Sequence, residues 1–288
     1  MSRVLVGLRP RGPIVVRAVA GAAVLVWTLI GMPIVAAPAA IVSGVRVEPS
    51  SRPAVVRLAE ACTATLVAPR RLLTAAHCVS HVVPGTTAVR IGGARYVAVR
   101  VARHPRFQYL TPDFPAEPYR DLGLVELDRD VTGVRPIAVA RGHVRAGQEV
   151  ELSGYGTGRA DRPGDYGVLR RARLVVRSAA VCRRELGRAA PGQGAQYRGR
   201  VMLCTQDADG RRPFASGCYG DSGAPLTRTT PRGRTVVVGV DSWGVACGTR
   251  DGDPEVFARV SAERRFLEAT DPGWTTVPIE EPFVPGRF

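Results

Sequence analysis

The stretch Ser216-Gly217-Cys218-Tyr219-Gly220-Asp221-Ser222-Gly223-Ala224-Pro225 constrains this chain more than any other. Glycines bracket a Ser-centred turn, a cysteine sits four residues before that serine, and a proline closes the stretch. A serine hydroxyl is a poor nucleophile near neutral pH unless a neighbouring base takes its proton. A reactive serine therefore needs a histidine and a carboxylate delivered to it by the fold. Thr74-Ala75-Ala76-His77-Cys78 offers the histidine, and Asp121-Leu122-Gly123-Leu124-Val125-Glu126-Leu127 offers the carboxylate. His81, His104 and His143 stand in no such motif and are read as surface or structural.

The segments between these stretches read as short strands. Ala54–Leu58, Ala64–Val67, Ala88–Ile91 and Tyr96–Val101 alternate apolar and polar residues or are β-branched, and Gly and Pro punctuate them. The 32 Gly and 23 Pro supply many turns, as an all-β chain requires. Leu122–Leu127, Val201–Cys204 and Thr235–Val240 read as further strands, and Ser261–Ala269 has helical spacing. The Pro- and aromatic-rich stretch 103–120, the Gly- and Pro-rich stretch 131–148 and the basic stretch 158–173 read as loops, the last as a flexible one.

In chain order the three chemical stretches run His, Asp, Ser. They resemble the catalytic motifs of the trypsin/chymotrypsin family of serine proteases, whose triad has that order. The resemblance runs from Ile41 to about Thr270. It implies an all-β fold of two packed antiparallel six-stranded β-barrels with a C-terminal helix. Residues 41–145 would form the first barrel, with His77 and Asp121. Residues 146–270 would form the second, with Ser222, and residues 271–288 a Pro-rich tail. The implied activity is serine endopeptidase: Ser222 attacks a peptide carbonyl, His77 is the base, Asp121 holds the histidine, and the backbone N–H groups of Gly220 and Ser222 form the oxyanion hole. Protein or peptide substrates and a protein inhibitor are the implied partners. No cofactor, metal or nucleic acid is expected, and the chain is expected to be a monomer. The competing readings are a catalytically silent binding module on the same fold and a basic anion-binding surface protein.

Residues 1–40 read as a targeting segment with a very short pro-piece. Arg3, Arg9, Arg11 and Arg17 precede an apolar run from Ala18 to Val35 and the small residues Ala36-Ala37-Pro38-Ala39-Ala40. The mature chain is then secreted, with no membrane association after cleavage. Ile41-Val42-Ser43-Gly44 resembles the start of the mature family members, where the freed α-amino group pairs with the Asp before the catalytic Ser, here Asp221. With six cysteines, an even count, an exported chain is expected to form three disulfides. Sequence alone leaves their connectivity open; the resemblance implies Cys62–Cys78, Cys182–Cys204 and Cys218–Cys247.

The resemblance also places Ser216 at the floor of the primary specificity pocket, Tyr219 and Gly244 at it, and Ser242-Trp243-Gly244 along its edge. Asp241 and Glu255 fall at positions that face this pocket. Ser216 and Gly244 imply a large apolar preference, whereas Asp241 and Glu255 imply a basic one; both stay open on sequence. All 40 basic residues are Arg. Beyond residue 40 there are 36 Arg against 25 acids, a net +11. They are scattered along the chain without interleaved aromatic residues, so they read as a solvated surface.

Overall fold

The computed structural model describes residues 41–59, 61–110, 117–158, 166–247 and 252–280. The expected targeting segment 1–40, the tip of the basic stretch at 159–165 and residues 281–288 of the tail lie outside the described residues. No described helix is long and apolar enough to cross a membrane.

A short strand β1 (Val45–Arg46) precedes the first barrel. The barrel strands are β2 (Val55–Leu58), β3 (Cys62–Ala68), β4 (Arg71–Thr74), β5 (Ala88–Ile91) and β6 (Ala94–Arg103). The hairpin of β7 (Gln108–Tyr109) and β8 (Pro118–Tyr119) follows, and β9 (Gly123–Leu127) completes the barrel. The six strands pair antiparallel in the order β2-β3-β4-β9-β6-β5. Alternation decides which face is buried. Val56 and Leu58 of β2 and Val89 and Ile91 of β5 enter the core, while Arg57 and Arg90 point outward. The first and last strands lie side by side without hydrogen-bonded register, so this barrel is nearly closed.

The second barrel is a closed ring. A short β10 (Ala138–Val139) leads into β11 (Glu149–Gly154), β12 (Arg170–Val176), β13 (Met202–Asp207), β14 (Pro225–Thr229), β15 (Thr235–Gly244) and β16 (Glu255–Arg259). The order is β12-β11-β14-β15-β16-β13, and β13 pairs back onto β12. The strands β10 and β1 attach to the outside of this ring. Helix α1 (Ala179–Ala189) and the single turn α2 (Gln193–Gln196) lie between β12 and β13, and α3 (Arg264–Glu268) ends the regular structure. The two barrels share a core. Val237, Val240, Phe266 and Leu267 from the second half join the cluster built on Leu66, Leu72 and Leu124.

One local expectation does not hold, and one helix was not expected. The stretch 158–173 is not a loop throughout, because its last four residues begin β12, and Arg170 there is fully buried. Helix α1 has little apolar signal: within it only Cys182 and Leu186, one turn apart, are buried. Ser178 caps it by accepting a hydrogen bond from Val181 N at 3.3 Å. Disulfides join Cys62–Cys78, Cys182–Cys204 and Cys218–Cys247, and leave no free thiol. The first ties β3 to the turn carrying His77, and the third ties the Ser222 turn to the end of β15.

Candidate active site

His77 opens a 3₁₀ turn directly after β4, and Asp121 immediately precedes the Leu122–Gly123 entry into β9. The register of β4 on β9, Thr74 opposite Gly123, brings the two together. Asp121 Oδ1 accepts from His77 N at 3.0 Å, and Asp121 Oδ2 lies 2.8 Å from His77 Nδ1. Arg120 adopts a left-handed φ of 54°, unusual for a residue with a side chain, and so turns the chain just before the aspartate. Asp121 is 1% exposed. Burial by itself would raise its pKa. The His77 charge and hydrogen bonds from His77 and Ser242 outweigh burial and hold it below the ordinary carboxylate value.

Ser242, read from the sequence only as part of the pocket edge, donates its hydroxyl to Asp121 Oδ2 at 2.7 Å. This bond crosses from the second barrel to the first. No sequence signal marks it, because Ser and Asp are 121 residues apart.

Ser222 is half-buried in the turn between β13 and β14. Its carbonyl accepts from Thr63 N at 2.8 Å, and the Thr63 hydroxyl donates to the Gly220 carbonyl at 2.9 Å. Thr63 of β3 therefore fixes both ends of the turn. Gly223 follows at φ 85°, where a Cβ would fall 2.2 Å from the Thr63 carbonyl, so no other residue fits. Among the described residues, the N–H groups of Gly220 and Ser222 have no hydrogen-bond partner. Two neighbouring donors are thus left for an oxygen from outside the chain.

Asp221 is fully buried, with its carboxylate held by Gly156 N at 2.9 Å and Cys218 N at 3.1 Å. A Cβ at Gly156 would lie 2.5 Å from that carboxylate, so this glycine makes its room. Burial and then the nearby Asp241 push Asp221 up to about 8, against the two backbone donors and the charge of Arg170. Ile41 is also fully buried, in the core of the second barrel, and Val42 bridges to Ser216.

Beside Ser222 is a cavity of about 180 Å³, with Tyr219, Asp241, Ser242, Trp243, Gly244 and Glu255 among its lining residues. An irregularity in register between Asp241 and Trp243 breaks the alternation of β15, so Asp241, Ser242 and Trp243 are all buried. Glu255 sits opposite Gly244 in register, and the Gly244 Cβ position lies 2.7 Å from Glu255 Oε2. The Gly217 Cβ position is 3.0 Å from Asp241 Oδ2 and 3.2 Å from Glu255 Oε1. The two carboxyls hydrogen-bond to each other. Burial is the main cause that drives Asp241 up to about 7, and burial together with Asp241 drives Glu255 well above the ordinary range. A shared proton follows, because two desolvated like charges repel. Asp241 Oδ1 is buried with no hydrogen-bond partner among the described residues. Ser216 is 3% exposed and donates to the Gly217 carbonyl, but it is not among the residues lining the cavity.

Of the other histidines, His104 is buried against Glu263 at 3.1 Å and His143 meets Ser261 Oγ at 3.1 Å. The sulfurs of Cys62 and Cys78 lie near a His77 ring nitrogen, but they are joined as a disulfide and are not thiolate ligands.

Two barrels of this topology, with a turn-borne serine and a histidine–aspartate pair, have the architecture of the two-barrel class of serine proteases. Residues 41–267 match the family model described as Trypsin, and the chain belongs to the trypsin family of serine proteases. Serine protease 56 of Mus musculus is 35% identical over 222 residues, covering 72% of this chain and 34% of the relative. Serine protease 56 of Homo sapiens is 34% identical over 247 residues, covering 79% of this chain and 38% of the relative. The chain thus spans little more than a third of those relatives. Trypsin 5G1 of Aedes aegypti is 29% identical over 221 residues, covering 72% of this chain and 74% of the relative. The solved structure of neuropsin, a serine protease of mouse brain, shares the fold at a TM-score of 0.61 and 24% identity, over 79% of this chain and 98% of that one.

Proposed function

We propose that Ser222, His77 and Asp121 form the catalytic triad of a secreted endopeptidase that cleaves after basic residues. The observation carrying this reading is the doubly bonded Asp121–His77 pair beside a serine turn with two open N–H donors. In the proposed reaction His77 takes the Ser222 proton as Oγ attacks the carbonyl, then gives it to the leaving amine. Asp121 keeps the ring in the tautomer that presents its far nitrogen as base and stabilises the imidazolium that forms. Gly220 N and Ser222 N receive the oxyanion, and water then hydrolyses the acyl-enzyme. Asp241 and Glu255 favour Arg or Lys at P1, because a cation entering their cavity replaces the shared proton. A fluorophosphonate probe tests the first step. Covalent labelling at Ser222 is expected; folded, correctly cut protein that stays unlabelled would mean a silent binding module.

Maturation follows the same logic. Residues 1–40 are a leader removed on export, residues 41–145 and 146–270 are the two barrel units, and 271–288 are a tail. Three disulfides support an oxidising destination. The α-amino group freed at Ile41 pairs with Asp221. In the uncut chain Asp221 has a folded pKa of about 8, above its unfolded value. Its stabilising contribution is then full below the unfolded value and fades as pH rises through about 8. The raised Asp241 and Glu255 act in the same direction. The uncut chain is therefore expected to lose melting temperature between about pH 5 and pH 8.5, and the chain starting at Ile41 to lose less. Equal losses in the two forms would rule out the pairing.

A further inference from the structure

The seam of the first barrel carries a second feature, unrelated to the acidic cavity. The outward residues of its two edge strands line a groove of about 850 Å³. Arg57 comes from β2, Arg90 from β5, and the Gly92–Gly93 turn returns Arg95 on β6. Arg90 and Arg95 are direct cross-strand partners. Like charges directly opposite on one sheet face repel, and a bound anion relieves that. All three arginines are exposed, none has an ion-pair partner among the described residues, and no acid lines the groove. The lining between them is apolar: Val55, Val134, Pro53 and the ring of Tyr155. Such a lining suits the side chains of an extended peptide better than the hydroxyls of a polysaccharide.

The groove adjoins the reaction centre. Arg57 is the cross-strand partner of Thr63, the residue whose N–H holds the Ser222 carbonyl. Antiparallel partners stand about 5 Å apart, so the groove begins one strand away from the serine turn. The acyl half of a substrate places its P1 side chain in the cavity walled by Ser242 to Gly244. β2 and Arg57 lie next to the serine turn through Thr63, so a leaving half that runs over this side of Ser222 meets the groove. Each extended residue advances about 3.5 Å, so acids a few positions beyond the cut come within reach of Arg57 and then of Arg90 and Arg95. The chain's own first 40 residues contain four Arg and no acid, so they are not the occupant.

We propose that this arginine groove binds an acidic segment of the protein substrate on the leaving-group side of the scissile bond, a reading that rests on Ser222 as nucleophile. The test uses two peptides with the same acyl half ending in Arg, followed by a leaving half rich in Glu or in Gln. Wild type is expected to prefer the Glu peptide by about tenfold in kcat/KM at low salt, with the preference shrinking as salt rises. Arg57→Gln with Arg90→Gln and Arg95→Gln should abolish the preference and leave a short anilide substrate unaffected. Arg232→Gln with Arg234→Gln, in the exposed turn between β14 and β15, should keep it. Equal cleavage of both peptides by wild type, or loss of preference in the Arg232/Arg234 variant, would overturn the proposal. Fluorescence anisotropy of the Glu peptide on Ser222→Ala protein separates the two readings. Binding weakened tenfold by the triple change supports the groove even if nothing is cleaved; undiminished binding, or equal competition by a heparin oligosaccharide, overturns it.

Discussion

Ser222→Ala is expected to fold and to lose roughly 10⁶-fold in kcat against a peptide anilide. Asp121→Asn is expected to lose about 10⁴-fold, because an amide presents the wrong partner to His77 Nδ1–H and inverts the tautomer. The Ser242→Ala change is the more informative companion. It removes a charge-assisted bond to Asp121 without touching the reacting atoms. Such bonds are worth about 1.5–3 kcal/mol, so a loss of ten- to a hundredfold is expected. Its pH profile should also move, since Asp121 would rise without that donor and stabilise the His77 imidazolium less. Stopped-assay kcat values over a pH series decide the matter. Near-normal turnover by Ser222→Ala would remove the triad, and a Ser242→Ala profile identical to wild type would remove the cross-barrel support.

The second expectation concerns the cavity. In the proposed reading a P1 cation enters the site of Asp241 and Glu255 by displacing their shared proton. Carboxyls with raised pKa values are protonated below them and ionised above, so Arg cleavage should strengthen as pH rises through about 7. The proposed triad acts on every substrate alike, so the quantity to read is the ratio of Arg to Phe substrates, in which the triad cancels. That ratio is expected to rise with pH in wild type. Glu255→Gln keeps the size demanded by the contacts at Gly217 and Gly244 but removes one charge. It should lower the Arg-to-Phe ratio ten- to a hundredfold above about pH 8. A ratio that is flat with pH and indifferent to Glu255 would mean that this pair does not read P1.

The physics of each element explains what the sequence showed of it. Many barrel strands are legible because alternation and β-branching are local, and β5 runs from Ala88 to Ile91 as the pattern predicts, whereas β12, β14 and β16 of the second barrel carry no such reading. The serine turn was legible because glycine and proline demand unusual backbone. The α1 helix was not, since it presents one narrow buried stripe of Cys182 and Leu186 among arginines. The sequence places Arg170 in a flexible basic stretch. In the fold it is a buried strand residue whose charge reaches Asp221, and nothing in one sequence marks which of 40 arginines goes inside. The resemblance points to Tyr219, Asp241, Ser242, Trp243, Gly244 and Glu255, all of which line the cavity beside Ser222, and to Ser216, which is buried outside that lining. Thr63 and Ser242 were invisible as supports because their partners lie on the other barrel.

The division of the site between barrels has a consequence for the cell that makes the protein. The N-terminal half carries His77 and Asp121 but has neither the serine turn nor the hydroxyl that holds the aspartate. The C-terminal half carries Ser222, but its turn is clasped by Thr63 of the other half. A chain interrupted during synthesis, or one with a single barrel formed, holds no working set of groups. With the proposed triad, hazard to the host's own polypeptides begins only when the whole molecule has closed.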